Sequence, residues 1–115
     1  KANPNLASGN SNQNMASSTT TISLTLNLSG SNGILVVSAS ANNNNASGNP
    51  TLSVSKTSGT ATLSLVSENY YGVTGSSYPS AVRLQIYKYT GNSGGVITAS
   101  AYGKQPAMVA RSISF

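Results

Sequence analysis

Cysteine, histidine, tryptophan and aspartate are absent from this chain of 115 residues, and Glu68 is its only acidic side chain. Without cysteine no disulfide can staple the fold. Without histidine, cysteine or aspartate the usual zinc and iron ligand sets cannot be assembled. A Ser-His-Asp or Cys-His nucleophilic site is excluded on the same ground. A lone side-chain carboxylate cannot supply the pair that glycoside hydrolysis needs. The expectation is a protein that is not an enzyme, with no catalytic residues, no metal ligands and no cofactor. No apolar run approaches the length that spans a membrane. The first residue is Lys1 rather than methionine, so the chain is expected to start after processing or to be a fragment.

What fills the space is small, polar and uncharged: 22 serines, 14 asparagines and 11 threonines. The basic residues, Lys1, Lys56, Arg83, Lys88, Lys104 and Arg111, give a net charge of +5 but form no run. That scatter argues against a nucleic-acid partner. Only Tyr87-Lys88-Tyr89 interleaves aromatic and basic residues. Leu, Ile, Val and Phe total 23 residues, few enough that pattern rather than composition must decide whether a core forms.

The pattern is β. From Thr21 to Leu28 apolar and polar residues alternate strictly, placing Ile22, Leu24, Leu26 and Leu28 on one face. Ile34-Leu35-Val36-Val37 reads as a central strand covered on both faces. Leu52 and Val54 alternate with serines, as do Ala61, Leu63 and Leu65 with Thr62 and Ser64. Val82, Leu84 and Ile86 alternate with Arg83, Gln85 and Tyr87, which predicts an outer face of Arg83, Gln85, Tyr87 and Tyr89. Ile97, Ala99 and Ala101 form a sixth alternation. Ala107 to Phe115 is a weaker seventh, because Arg111 shares a face with Val109 and Ile113. No apolar pattern has the helical period. The expected fold class is all-β, an antiparallel sandwich of about seven strands with immunoglobulin-like or jelly-roll topology. Residues 1–18, poor in large apolar side chains, read as a polar N-terminal arm, and residues 19–115 as the sandwich domain. The arm is expected either to be disordered or to order against a neighbouring subunit. Glu68 to Pro79 reads as the longest loop.

Six tyrosines fall between Tyr70 and Tyr102, and tyrosine suits contact surfaces. Tyr70, Tyr71, Tyr78, Tyr87 and Tyr89 are the candidate contacts for a partner or a glycan. Asn27-Leu28-Ser29 and Asn45-Ala46-Ser47 are acceptor sequences for N-glycosylation. With so few titratable groups, stability is expected to vary little between about pH 3 and pH 9, which suits an exposed, extracellular setting.

The strand Thr19 to Leu28 has neither charge nor proline. Left at a sheet edge it would invite aggregation. Paired with another subunit, the same property becomes a means of assembly; a central place in its own sheet fits the pattern equally. A polar arm leading into Thr19-Thr20-Thr21-Ile22-Ser23-Leu24-Thr25-Leu26-Asn27-Leu28, in a Ser/Thr/Asn-rich and cysteine-free chain, resembles the secreted β-sandwich filament subunits of archaeal threads and bundling pili. The resemblance implies a homopolymer in which one copy lends a strand to the next, with Ile22, Leu24, Leu26 and Leu28 as the subunit contact. The chain also resembles small virion capsid or decoration proteins. A carbohydrate-binding module acting through the tyrosines is the third expectation.

Overall fold

The structure, a computed structural model, describes residues 9–42, 50–73 and 80–115. They form eight strands: β1 Gly9–Met15, β2 Thr19–Asn27, β3 Gly33–Ala41, β4 Thr51–Ser58, β5 Thr62–Val73, β6 Ser80–Thr90, β7 Val96–Lys104 and β8 Ala107–Ser114. All pairings are antiparallel, in a five-stranded sheet of order β1-β8-β3-β6-β5 and a three-stranded sheet of order β2-β7-β4. The expected all-β sandwich therefore forms, with one more strand than the alternation shows. The extra strand lies in the arm: residues 9–15 pair with β8 of the same chain. The long loop is also shorter than expected, because β5 continues through Tyr70 and Tyr71 to Val73.

Pairing is nested, first strand with last, second with seventh and third with sixth. This is the wrapping of a jelly roll, an eight-stranded double sheet. It departs from that scheme at the innermost turn, where β5 folds back on β6 and leaves β4 unpaired on its outer side. The immunoglobulin order, in which the first two strands are sheet neighbours, is not adopted.

The core lies between the smaller sheet and strands β8, β3 and the Tyr89 end of β6. Ile22, Leu24, Leu26 and Leu28 are all buried in it, facing Ile97 and the small Ala99 and Ala101 of their own sheet's neighbour and Leu35, Val37, Met108 and Ala110 of the larger sheet. The four β2 residues named as a subunit contact are thus core residues of their own chain. A strict alternation cannot tell a lent strand from a resident one, because both bury the same face.

Two strands bury the face opposite to the one their aliphatics suggest. On β6 the buried or half-buried inner positions are Arg83, Gln85, Tyr87 and Tyr89, while Val82, Leu84 and Ile86 face outward. Tyr89 sets this parity. Its register partner is Gly33, where a Cβ would collide with the Tyr89 hydroxyl, so the ring occupies the room that glycine leaves. The hydroxyl donates to the Ser29 carbonyl and pairs with Ser112 Oγ at 2.9 Å, fully enclosed. Period two then carries Tyr87, Gln85 and Arg83 to the same side. On β8, Ser112 faces inward for the same contact, so Met108 and Ala110 are buried and Val109, Arg111 and Ile113 point outward.

Candidate functional site

The two lateral sides of the sandwich are unlike. At one side the edge strands β1 and β2 meet, and the join is made by asparagine. Asn10, Asn12 and Asn14 face inward along β1, and their Nδ2 groups donate to the carbonyls of Asn27, Thr25 and Ser23, each at 2.8 Å. Asn12 and Asn14 also accept, through Oδ1, the backbone N–H of Gln13 and Met15 at 2.9 Å. Each of these two amides therefore satisfies outward backbone groups on both sheet edges, and the uncharged edge of β2 is closed. Hydrophobic periodicity is blind to this arrangement, because every residue of β1 but Met15 is polar or glycine; the Asn-x-Asn-x-Asn spacing is the signal that finds it.

The opposite side ends at β4, which no described strand pairs on its outer edge. The carbonyls of Ser23, Thr25 and Asn27 point away from β7, so Ile22, Leu24 and Leu26 carry the β2–β7 ladder. Alternation then turns the backbone groups of Thr98, Ser100 and Tyr102 toward Ser55, Ser53 and Thr51 of β4. The N–H and C=O of Leu52 and Val54 consequently face outward, along an edge paired with no other strand among the described residues. Pro50 bounds that window at one end. Lys56 and a bulge between Lys56 and Ser58 bound it at the other, and both are devices that protect an edge. Between them Thr51–Ser55 has no charge.

Beside this edge the larger sheet runs on. The smaller sheet lies over β1, β8 and β3. The inner face of β6 is also largely covered, with Ala81 and Tyr89 fully buried and Gln85 7% exposed, while β5 beyond it exposes Leu65 as a narrow shelf. Leu63 and Tyr87 pack against the margin of the core, and Leu65 next to Tyr87 is 52% exposed. Farther along lies a polar cluster. Gln85 Nε2 donates to Glu68 Oε2 at 2.6 Å, Arg83 Nη1 lies 3.3 Å from the same oxygen, and Tyr87 Oη donates to Gln85 Oε1 at 2.6 Å. Arg83 Nε donates to the Pro50 carbonyl at 2.9 Å, linking the larger sheet to the edge. Its guanidinium stands 5.0 Å from the centre of the Tyr70 ring, within range of a cation–π contact.

Hydrogen bonds from Gln85, and next from Arg83, hold the Glu68 carboxyl below its usual range. Partial burial, with Glu68 nearby, raises the Tyr87 phenol. A depressed carboxyl adds stability that is complete above its unfolded value, roughly 4.3, and is lost as pH falls through the lower folded value. A raised phenol adds stability that is complete below about pH 10 and is lost as pH rises through the folded value. Stability should therefore be level from about pH 5 to pH 9 and fall outside those limits. Glu68→Gln should remove the acid limb. Urea midpoints measured from pH 2 to pH 11 test this; a slope between pH 6 and pH 8 would contradict it.

Of the tyrosines named from sequence, Tyr70 and Tyr87 share the inner face of the larger sheet at separate positions, Tyr70 opposite Arg83 and Tyr87 opposite Leu65. Tyr71 points to the outer face and is exposed. Tyr89 is a core residue and is unavailable to a partner. Tyr78 and Asn45 lie outside the described residues. Asn27 ends β2 with its side chain exposed. No helix of the described residues is long and apolar enough to cross a membrane. Comparison with protein-family models, with curated proteins and with solved structures returns no match.

Proposed function

We propose that this chain is a non-enzymatic structural subunit of an extracellular, self-assembling filament, and that its copies join by strand addition at the outer edge of β4. One observation carries the reading: among the described residues a three-stranded sheet faces a five-stranded one, its β1–β2 side closed by asparagines and its β4 side paired with no further strand, beside the exposed Leu65 of β5. An extended segment of a neighbour laid beside β4 would pair with Leu52 and Val54. Its alternate side chains would turn down onto Leu63, Leu65 and Tyr87. Strand addition takes affinity from backbone hydrogen bonds and specificity from such alternate contacts. β1 is not free to be that segment while it pairs with β8 and closes the edge of β2 in its own chain. A surface with one carboxylate and many hydroxyl and amide groups sets little repulsion between copies. Surface glycans are further candidate partners, through the Tyr70–Arg83–Glu68 cluster, and Asn27 is an accessible glycosylation acceptor. A second reading, a virion coat or decoration subunit, is favoured by the jelly-roll nesting, since that fold also serves capsids.

Electron microscopy of the concentrated protein, paired with Val54→Pro, tests the proposal. Proline at 54 removes an outward N–H and leaves the β4–β7 ladder intact, a placement that edge strands accept. The expected result is fibres from the wild type and a folded, non-assembling variant. Ser53→Pro instead removes a ladder hydrogen bond and should lower the melting temperature. Closed shells would favour the coat reading. Fibres unchanged by Val54→Pro would place the contact elsewhere.

A further inference from the structure

Where β1 meets β2, the outward surface is uncharged and rich in hydrogen-bonding groups. Two consecutive register rows cross the smaller sheet, Ser23–Ser100–Ser53 and Thr25–Thr98–Ser55, and all six side chains are hydroxyls turned away from the core. At the β2 margin this face dips into a shallow groove of about 420 Å³, lined by Asn12, Gln13 and Asn14 of β1 and by Ser23, Thr25 and Thr98 of the smaller sheet. That volume falls within the roughly 300–1,000 Å³ of small-molecule sites. The asparagines in it are only half used. An asparagine side chain has two N–H donors and two acceptor lone pairs. Among the described residues, Asn12 and Asn14 each commit one donor to a β2 carbonyl and one lone pair to a β1 N–H. One of each remains per residue. The N–H groups of Ser23 and Thr25 point to the same side as their asparagine-bound carbonyls, toward this seam.

We infer that this groove binds a neutral saccharide, whose further units run out across the hydroxyl rows. The lining turns away the other classes of ligand. Among the described residues it holds no basic side chain for an anion and no carboxylate for a cation. Leu24 is its one apolar member, so an apolar ligand would strip water from the amides and put nothing in its place. A peptide strand is refused, because the β2 carbonyls that it would need already accept from asparagine. What fits is an uncharged molecule whose groups both donate and accept. Each sugar hydroxyl does so, with one donor and two lone pairs. Adjacent hydroxyls of one ring can therefore take the spare N–H and the spare lone pair of a single asparagine together. Asn12 and Asn14, about 6.7 Å apart along β1, offer that pair twice. No aromatic ring lines the groove among the described residues. Binding then rests on hydrogen bonds, and about four of them imply a dissociation constant on the order of 1 mM. The groove lies on the side opposite β4, so the inference stands apart from the assembly reading and from the Tyr70–Arg83–Glu68 cluster.

Heteronuclear NMR titration of the full chain with maltotriose, cellotriose and chitotriose tests the inference, with a sulfated disaccharide as the charged control. The expected result is that at least one neutral trisaccharide shifts the side-chain amide signals of Asn12 and Asn14 and the backbone N–H signals of Ser23 and Thr25, at low and high salt alike. Thr25→Val keeps the β-branch and removes one hydroxyl from the groove. It should weaken binding about fivefold, the equivalent of one hydrogen bond. Should that variant fold poorly, Gln13→Ala on the exposed β1 gives the same readout. Tyr70→Ala should leave the affinity unchanged. Shifts centred on Tyr70 and Arg83 would assign the sugar to that cluster and overturn this site. Stronger, salt-sensitive binding of the sulfated control would reduce the contact to charge attraction and overturn it as well. No shift with any of the three sugars, or an affinity untouched by both groove variants, would do the same. None of these outcomes bears on fibre formation, which judges the assembly reading separately.

Discussion

Leu26→Ala is expected to lower the unfolding free energy by about 2–5 kcal/mol, the range for truncating a buried leucine. Leu26 is 4% exposed, and it sits opposite Ile97 in a core whose other members include alanines at 39, 99, 101 and 110. Small side chains cannot move in to fill the gap, so the cavity term should persist. A domain of this size has about 5–15 kcal/mol in all, so the melting temperature should fall by roughly 10 °C or more. Thr25→Ala, one residue away on the solvent face, should stay within about 0.5 kcal/mol. Urea titrations at several protein concentrations read the result. A loss independent of concentration means that the leucine completes its own sandwich. A loss that disappears as the protein is concentrated would mean that β2 is lent to a neighbour, against the pairing described here.

Replacing Asn10, Asn12 and Asn14 together by alanine should cost about 2–4 kcal/mol, from several hydrogen bonds worth about 0.5–1.5 kcal/mol each. The larger effect is on solubility. β1 would lose its hold on the smaller sheet, and the outward carbonyls of Ser23, Thr25 and Asn27 would be bared on an uncharged strand, the situation that promotes edge-to-edge pairing. Turbidity on warming and loss of amide-exchange protection at Gln13 and Met15 should appear together. Asn12→Asp isolates the donor. An ionised carboxylate still accepts from Gln13 N–H but cannot donate to the Thr25 carbonyl, so it should destabilise at neutral pH and recover on acidification below about pH 4. A triple variant as stable and as soluble as the wild type would show that the asparagines do not close this edge.

Much of the fold was legible in the sequence, and the particular failures share one cause. The alternation at Ile22 to Leu28 shows a strand with that face buried, because four apolar residues at period two leave little other choice. On β6 the alternation is visible but suggests the wrong buried face, and on β8 Arg111 beside Val109 and Ile113 leaves the pattern weak. Val82, Leu84 and Ile86 are more apolar than Arg83, Gln85 and Tyr87, yet the fit of Tyr89 against Gly33, fifty-six positions away in sequence, fixes the parity of the whole strand. Such a contact has no local signature. β1 has no hydrophobic signature, because asparagine against serine and glutamine gives no contrast. Tyr70 and Tyr71 read as loop residues because the bulge between Leu65 and Ser67 shifts the period of β5 midway.

The sequence by itself determined the all-β class and the two-residue period of the strands. Both follow from residue type and spacing along the chain. Only the tertiary structure decided which face each strand buries, that the arm pairs at home, and that three strands oppose five. Those depend on which strands become neighbours. Neighbours are chosen by side-chain volumes and backbone hydrogen bonds between residues far apart in sequence, such as Tyr89 over Gly33 and Asn12 reaching Thr25.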